Sequence, residues 1–72
     1  MNIVEIKTLK TGDRISWSTG PYVVTKIEKL KRRNNHQLHA YYNLEVHHEI
    51  LLQTFVMKLK GTSICELVEV AQ

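Results

Sequence analysis

Tyr22-Val23-Val24-Thr25-Lys26-Ile27-Glu28-Lys29-Leu30-Lys31-Arg32-Arg33-Asn34-Asn35-His36-Gln37-Leu38-His39-Ala40-Tyr41-Tyr42-Asn43-Leu44-Glu45-Val46-His47 is the segment from which the architecture follows. Its first arm opens with Tyr-Val-Val-Thr-Lys-Ile, β-branched and aromatic residues suited to a half-buried pleated surface. Its second arm alternates: Leu38, Ala40, Tyr42, Leu44 and Val46 fall on one face, His39, Tyr41, Asn43, Glu45 and His47 on the other. Asn34-Asn35 between the arms fits a two-residue hairpin loop, because Asn tolerates positive φ. Counting outward from that loop, Arg33 opposes His36, Ile27 meets Tyr42, Thr25 meets Leu44 and Val23 meets Val46. The apolar faces of the two arms then coincide, as a sheet with one buried side requires. Beyond Ile27 the same face carries Lys29 and Lys31, so burial is expected to stop there. The tip is expected to project by roughly 17 Å, at about 3.3 Å per residue.

The flanking sequence reads as shorter strands. Ile3–Lys7 fits a short strand ended by the turn signal Lys10-Thr11-Gly12-Asp13. Arg14–Ser18 alternates, with Ile15 and Trp17 on one face. Thr19-Gly20-Pro21 turns the chain into the hairpin, and Pro21 sits acceptably at a strand start. Ile64–Val70 closes the chain as a last strand. The ambiguous stretch runs from Asn43 to Gly61, which holds no Pro, Asp or internal Gly. A helix there would have Asn43 as N-cap, Gly61 at its C-terminal end, and an apolar stripe of Leu44, Leu51, Leu52, Phe55 and Leu59. Val46, Ile50 and Met57 lie off that stripe, and Thr54-Phe55-Val56 favours a strand. With strands favoured, a turn would have to use His47-His48-Glu49. The expected fold is all-β, a small five-stranded barrel with a long protruding β-hairpin; the alternative is α+β, with one helix over about 44–60.

The opening Leu9-Lys10-Thr11-Gly12-Asp13-Arg14-Ile15-Ser16-Trp17 resembles that of many SH3-like small β-barrels, which begin with a Gly-Asp turn into a strand. The closing Glu66-Leu67-Val68-Glu69-Val70 is similar to the last strand of such barrels. The resemblance implies a fold and no single function, since SH3-like barrels bind nucleic acids or peptides, assist electron transfer and rarely catalyse. The Val-Gln-Ile-Tyr active-site segment of the tetrameric plasmid-borne dihydrofolate reductases, which have this type of barrel, has no counterpart here.

The 72 residues suit a single domain, 1–72, near the lower size limit for a core without staples. At 43% apolar and 24% charged, the composition is that of a folded chain. No apolar run approaches the roughly 20 residues needed to span a bilayer, so no membrane contact is expected. The first residues have neither the basic nor the apolar region of a signal peptide, which makes the cytoplasm the expected location. The lone Cys65 fits a reducing compartment and reads as a small apolar residue in a strand.

Charge supplies the functional lead. Lys26, Lys29, Lys31, Arg32 and Arg33 cluster within eight residues against the single acid Glu28, while the net charge of the whole chain is only +3. On the hairpin, Lys29, Lys31 and Arg33 share one face and Lys26 and Arg32 the other, with His36, His39 and Tyr41 interleaved on the returning strand. A two-stranded ribbon fits a DNA major groove, and cations straddling its tip reach phosphates on both sides. Tyr41 offers a stacking platform for a single strand. The expected function is therefore non-catalytic binding of a nucleic-acid phosphate backbone through Lys26, Lys29, Lys31, Arg32, Arg33, His36, His39 and Tyr41. The alternative is an adaptor or inhibitor whose basic hairpin docks on an acidic protein surface, and the bland reading is that the cations guard an exposed ribbon against edge pairing.

Other chemistry lacks its usual pattern. His36 and His39, and His47 and His48, split between strand faces, with no Cys-x-x-Cys or His-x-x-x-His spacing, so no metal and no cofactor are expected. Cys65 has no neighbouring base, and the serines stand in no catalytic context, so no enzyme is expected. Trp17, Tyr22 and Tyr42 are candidates for a peptide groove but more simply build the core. Exposed edges in so small a barrel are compatible with a homodimer.

Overall fold

The computed structural model describes residues 2–31 and 40–71. Strands β1 (Asn2–Glu5), β2 (Arg14–Trp17), β3 (Gly20–Lys29), β4 (Tyr41–His48), β5 (Gln53–Lys60) and β6 (Ile64–Glu69) form one antiparallel sheet in the order β1-β6-β2-β3-β4-β5. The fold is all-β, and the helix alternative over 44–60 is excluded, since that stretch contains most of β4 and all of β5.

Two features of the expected barrel are corrected. The sheet has six strands rather than five, because Asn2–Glu5 pairs along β6 from Asn2↔Leu67 to Glu5↔Ile64. The sheet also does not close. After β1 the chain tightens into a 3₁₀ turn, Ile6–Thr8, whose backbone meets the β5–β6 connection through Ile6 N–H to Ser63 O and Lys7 N–H to Gly61 O. Two backbone bonds replace a ladder, so β1 and β5 remain the sheet's edges.

The hairpin register differs from the expected one. Ile27 faces Leu44 instead of Tyr42, and Val24 faces Val46 where Val23 was expected. The offset at Ile27 is two residues and is already present nearer the loop, where Lys29 faces Tyr42. A bulge between Val24 and Lys26 then takes back one of them, with Thr25 as the extra residue donating through Oγ1 to Glu45 O at 3.1 Å and Glu45 Oε2 at 2.8 Å. The bulge resolves a conflict in the sequence. Tyr22 and Val24 are even-numbered and buried, whereas Ile27 is odd, and an extra residue lets all three face inward. Leu44 and Val46 are fully buried, as the alternation of the second arm requires. The loop Asn34-Asn35 and the pairs beside it lie outside the described residues.

The turn after β4 uses Glu49-Ile50-Leu51-Leu52, not His47-His48-Glu49. The usual turn residues are absent because a histidine does their work. Ile50 and Leu51 donate their N–H groups to His48 Nδ1 at 3.2 and 3.0 Å, and Leu52, at φ 56°, donates its own to His48 O at 2.9 Å. His48 Nε2 lies 3.0 Å from Thr19 O, so these partners put the ring proton on Nε2. The buried His48 thereby ties the β4–β5 turn to the β2–β3 turn. It needs Gly20 beneath it: a Cβ on Gly20 would lie 2.3 Å from Nε2, and Gly20 has φ +136°.

Ile6, Ile15, Val24, Leu44 and Val46 are the fully buried centre of the core, with Cys65 beside them in β6. At one margin Asp13 accepts the N–H of Lys10 and of Ala71, both at 2.8 Å, which pins the end of the chain to the turn before β2. No helix among the described residues is long and apolar enough to cross a membrane.

Candidate nucleic-acid interface

Registers of adjacent strands fix the surface on which the lysines stand. Across β3, β4 and β5 the rows run Lys26–Glu45–Val56, Ile27–Leu44–Met57, Glu28–Asn43–Lys58 and Lys29–Tyr42–Leu59, and Tyr41 pairs with Lys60. Side chains alternate between faces along each strand. Lys29 therefore shares the core-side face with Ile27, while Lys26, Glu28, Asn43, Glu45, Val56 and Lys58 form the outer face. Burial ends near Ile27, which is half-buried, and Lys29 and Lys31 are exposed.

This arrangement separates the expected site residues. Lys26 stands directly across from Glu45 and beside Glu28, around an outer depression of about 140 Å³ that also includes Asn43 and Val56. Two acids close to one lysine weaken the local field for a phosphate. Lys29 and Lys31 lie further along, where the ribbon leaves the core. Tyr41 is half-buried, with Lys58 Nζ 5.2 Å from its ring centroid, so one face of the ring already carries a cation. Arg32, Arg33, His36 and His39 lie outside the described residues.

Lys58 and Lys60 were not found by reading the sequence. They are some thirty residues from the basic run, and only the β4–β5 register brings them level with Asn43 and Tyr41, at the end of the sheet toward Lys29 and Lys31. The available signal was the alternation of Lys58-Leu59-Lys60, which puts both lysines on one strand face. The ion pairs found among the described residues lie elsewhere: Lys7 with Glu5 at 3.8 Å, and Arg14 with Glu49 at 2.7 Å and Glu69 at 3.2 Å. Arg14 holds the Glu49 carboxyl below the ordinary carboxylate range, chiefly by the hydrogen bond it donates. Among the described residues, Lys26, Lys29, Lys31, Lys58 and Lys60 have no ion-pair partner within 4 Å.

The remaining candidates sort by burial. His47 and His48 split between faces: His47 Nδ1 meets Thr54 Oγ1 at 3.2 Å, while His48 is a buried turn anchor. Trp17 and Tyr22 pack edge to face at 5.3 Å, and Tyr22 OH lies 2.7 Å from Thr19 Oγ1. With Ile6, Met57, Leu59 and Ile64 they line an apolar groove of about 310 Å³, and Tyr42 is not part of it. Burial and the charge of Asp13 push the Cys65 thiol up, away from the thiolate a nucleophile needs. No protein-family model matches this chain, and no curated protein matches it either.

Proposed function

We propose that the protein is a non-catalytic, cytoplasmic nucleic-acid-binding module of SH3-like build. Its binding surface is the basic end of the β3–β4–β5 ribbon. The observation that carries this reading is that one end of the ribbon carries Lys29 on its core-side face and Lys58 and Lys60 on its outer face, with Lys31 just beyond, all without an acid partner among the described residues, at the end whose sequence continues into Arg32-Arg33. The acids Glu49 and Glu69 are occupied by Arg14, so they do not offset this surface. The SH3-like reading is supported by the succession β2-β3-β4-β5 of neighbouring antiparallel strands and by the return of β6 beside β2. Here β1 is an added strand.

Lysines on a ribbon bind phosphates with release of counterions, which makes affinity steeply salt-dependent and nearly indifferent to sequence. Lys29, Lys31, Arg32, Arg33, Lys58 and Lys60 are the phosphate ligands, while Lys26 contributes less because of Glu28 and Glu45. With one ring face taken by Lys58, Tyr41 is a weaker stacking platform than an open ring, which favours a duplex over a single strand.

The test is fluorescence anisotropy with labelled single- and double-stranded DNA and RNA, comparing wild type with the variant Lys29→Ala, Lys31→Ala, Lys58→Ala, Lys60→Ala. Tight binding by wild type and at least about a hundredfold loss in the variant is expected, since each phosphate contact adds to the electrostatic term. Equal binding by both proteins would remove this surface from the account. No binding to any probe, with retention on an acidic protein, would favour the adaptor reading.

A further inference from the structure

The two edges of the sheet differ. β1 is four residues long and is cut off by the 3₁₀ turn Ile6–Thr8. β5 is eight residues long, and its first five, Gln53-Thr54-Phe55-Val56-Met57, carry no charge, proline or bulge. Natural edges of that length are blunted by such devices. Next to it, the turn exposes Ile50, Leu51 and Leu52, and Val56 is 65% exposed.

Hydrogen-bond parity shows which backbone groups point outward. Gly61 N–H donates to Ala40 O at 2.9 Å, continuing the register in which Tyr41 meets Lys60. Antiparallel pairs alternate between bonded and non-bonded, so Leu59, Met57, Phe55 and Gln53 turn their N–H and C=O toward β4. The backbone groups of Thr54, Val56 and Lys58 then lie along the open edge. Beyond Lys58 the 3₁₀ turn approaches Gly61 and ends the open stretch.

We infer that this edge is covered by β5 of a second copy of the chain, paired antiparallel about a two-fold axis at Val56. Pairing outward-facing residues with one another puts Val56 opposite Val56, and Thr54 opposite Lys58 of the second copy. On the core-side face, Phe55 meets Met57 of the second copy and Met57 meets its Phe55, which extends the apolar wall formed by Met57 and Leu59 at the groove. The two-fold also fits the charges. Lys58 and Lys60 stand at one end of β5, so antiparallel pairing places them at opposite ends of the new ladder, each facing an uncharged residue. A parallel pairing in register would set lysine against lysine. A foreign strand has no such built-in match, which singles out a second copy. The pairing stands whether or not the basic end binds nucleic acid.

Sedimentation velocity over a concentration series tests this, with circular dichroism as a fold control. The wild type is expected to pass from monomer to dimer at or below about 100 μM, as mass action requires of a reversible pair. Val56→Lys sets like charges opposite each other at the axis. It should remain folded, because Val56 is exposed, and should raise the dimer dissociation constant by about tenfold or more. Val56→Glu alone should behave in the same way, and mixing the two variants should restore dimer, which only a contact of residue 56 with itself can do. A wild type that stays monomeric at all concentrations would overturn the inference. So would a dimer indifferent to both variants, or variants that do not complement each other.

Discussion

Gly20→Ala should cost this domain a large part of its stability, for a reason that a second substitution isolates. The backbone at Gly20 has φ +136°, a region that L-residues enter at about 1–3 kcal/mol. The new Cβ would also lie 2.3 Å from His48 Nε2. A loose side chain would swing away, but this ring is buried, bonded at both nitrogens and packed edge to face on Tyr22 at 4.8 Å. Displacing it forfeits three hydrogen bonds worth roughly 1 kcal/mol each. The total is about 4–6 kcal/mol, against about 4–11 kcal/mol for a chain of 72 residues. Guanidinium unfolding followed by the fluorescence of Trp17, the single tryptophan, reads the change. In a His48→Ala background the ring is gone, so Gly20→Ala should cost only its backbone share, leaving a coupling of about 3 kcal/mol. Additive costs, or a loss below about 1 kcal/mol for Gly20→Ala alone, would refute the role given to His48.

Three further outcomes are expected. Cys65, 3% exposed and with its thiol pushed up, should react with a thiol reagent much more slowly in the native protein than in denaturant; equal rates would contradict its burial. Arg14 holds Glu49 below the ordinary carboxylate range, so the pair stabilises the fold at neutral pH and its contribution is lost as pH falls through that lowered value. The stability gap between wild type and Arg14→Ala, followed by denaturation at several pH values, should therefore close in acid, and a gap that widens would reverse the assignment. Deleting Thr25 should leave Val24 and Ile27 both inward on a regular strand and a cooperatively unfolding protein, whereas deleting Val23 turns Tyr22 away from the core. Circular dichroism and denaturation of the two deletions would distinguish them, and equal damage from both would contradict the bulge.

Much of the fold is legible in the sequence. The alternation from Tyr42 to Val46 gives the strand and its buried face, and the Gly12-Asp13 and Gly20-Pro21 signals bracket β2 correctly. What was missed is non-local. The bulge at Thr25 follows from reconciling Val24 with Ile27 against one partner strand, a constraint that neither arm reveals alone. The β4–β5 turn lacks the usual turn residues because the His48 ring caps it, and that ring is placed by Thr19 and Gly20 almost thirty residues away. Closure failed because the chain tightens at Ile6–Thr8, where the sequence Ile-Lys-Thr still alternates as a strand would. Of the proposed site, the basic run is visible in the sequence, whereas Lys58 and Lys60 are brought to the same end of the ribbon only by pairing across β4.

Affinity for a short labelled DNA duplex, measured across a range of salt concentrations, tests the central claim most directly. Six phosphate contacts predict a slope of log K against log salt near −5, and a loss of about a thousandfold between 50 and 200 mM. Replacing Lys58 and Lys60 by alanine should reduce the slope by about one for each lysine. A slope near zero, or one unchanged in that variant, would contradict the account.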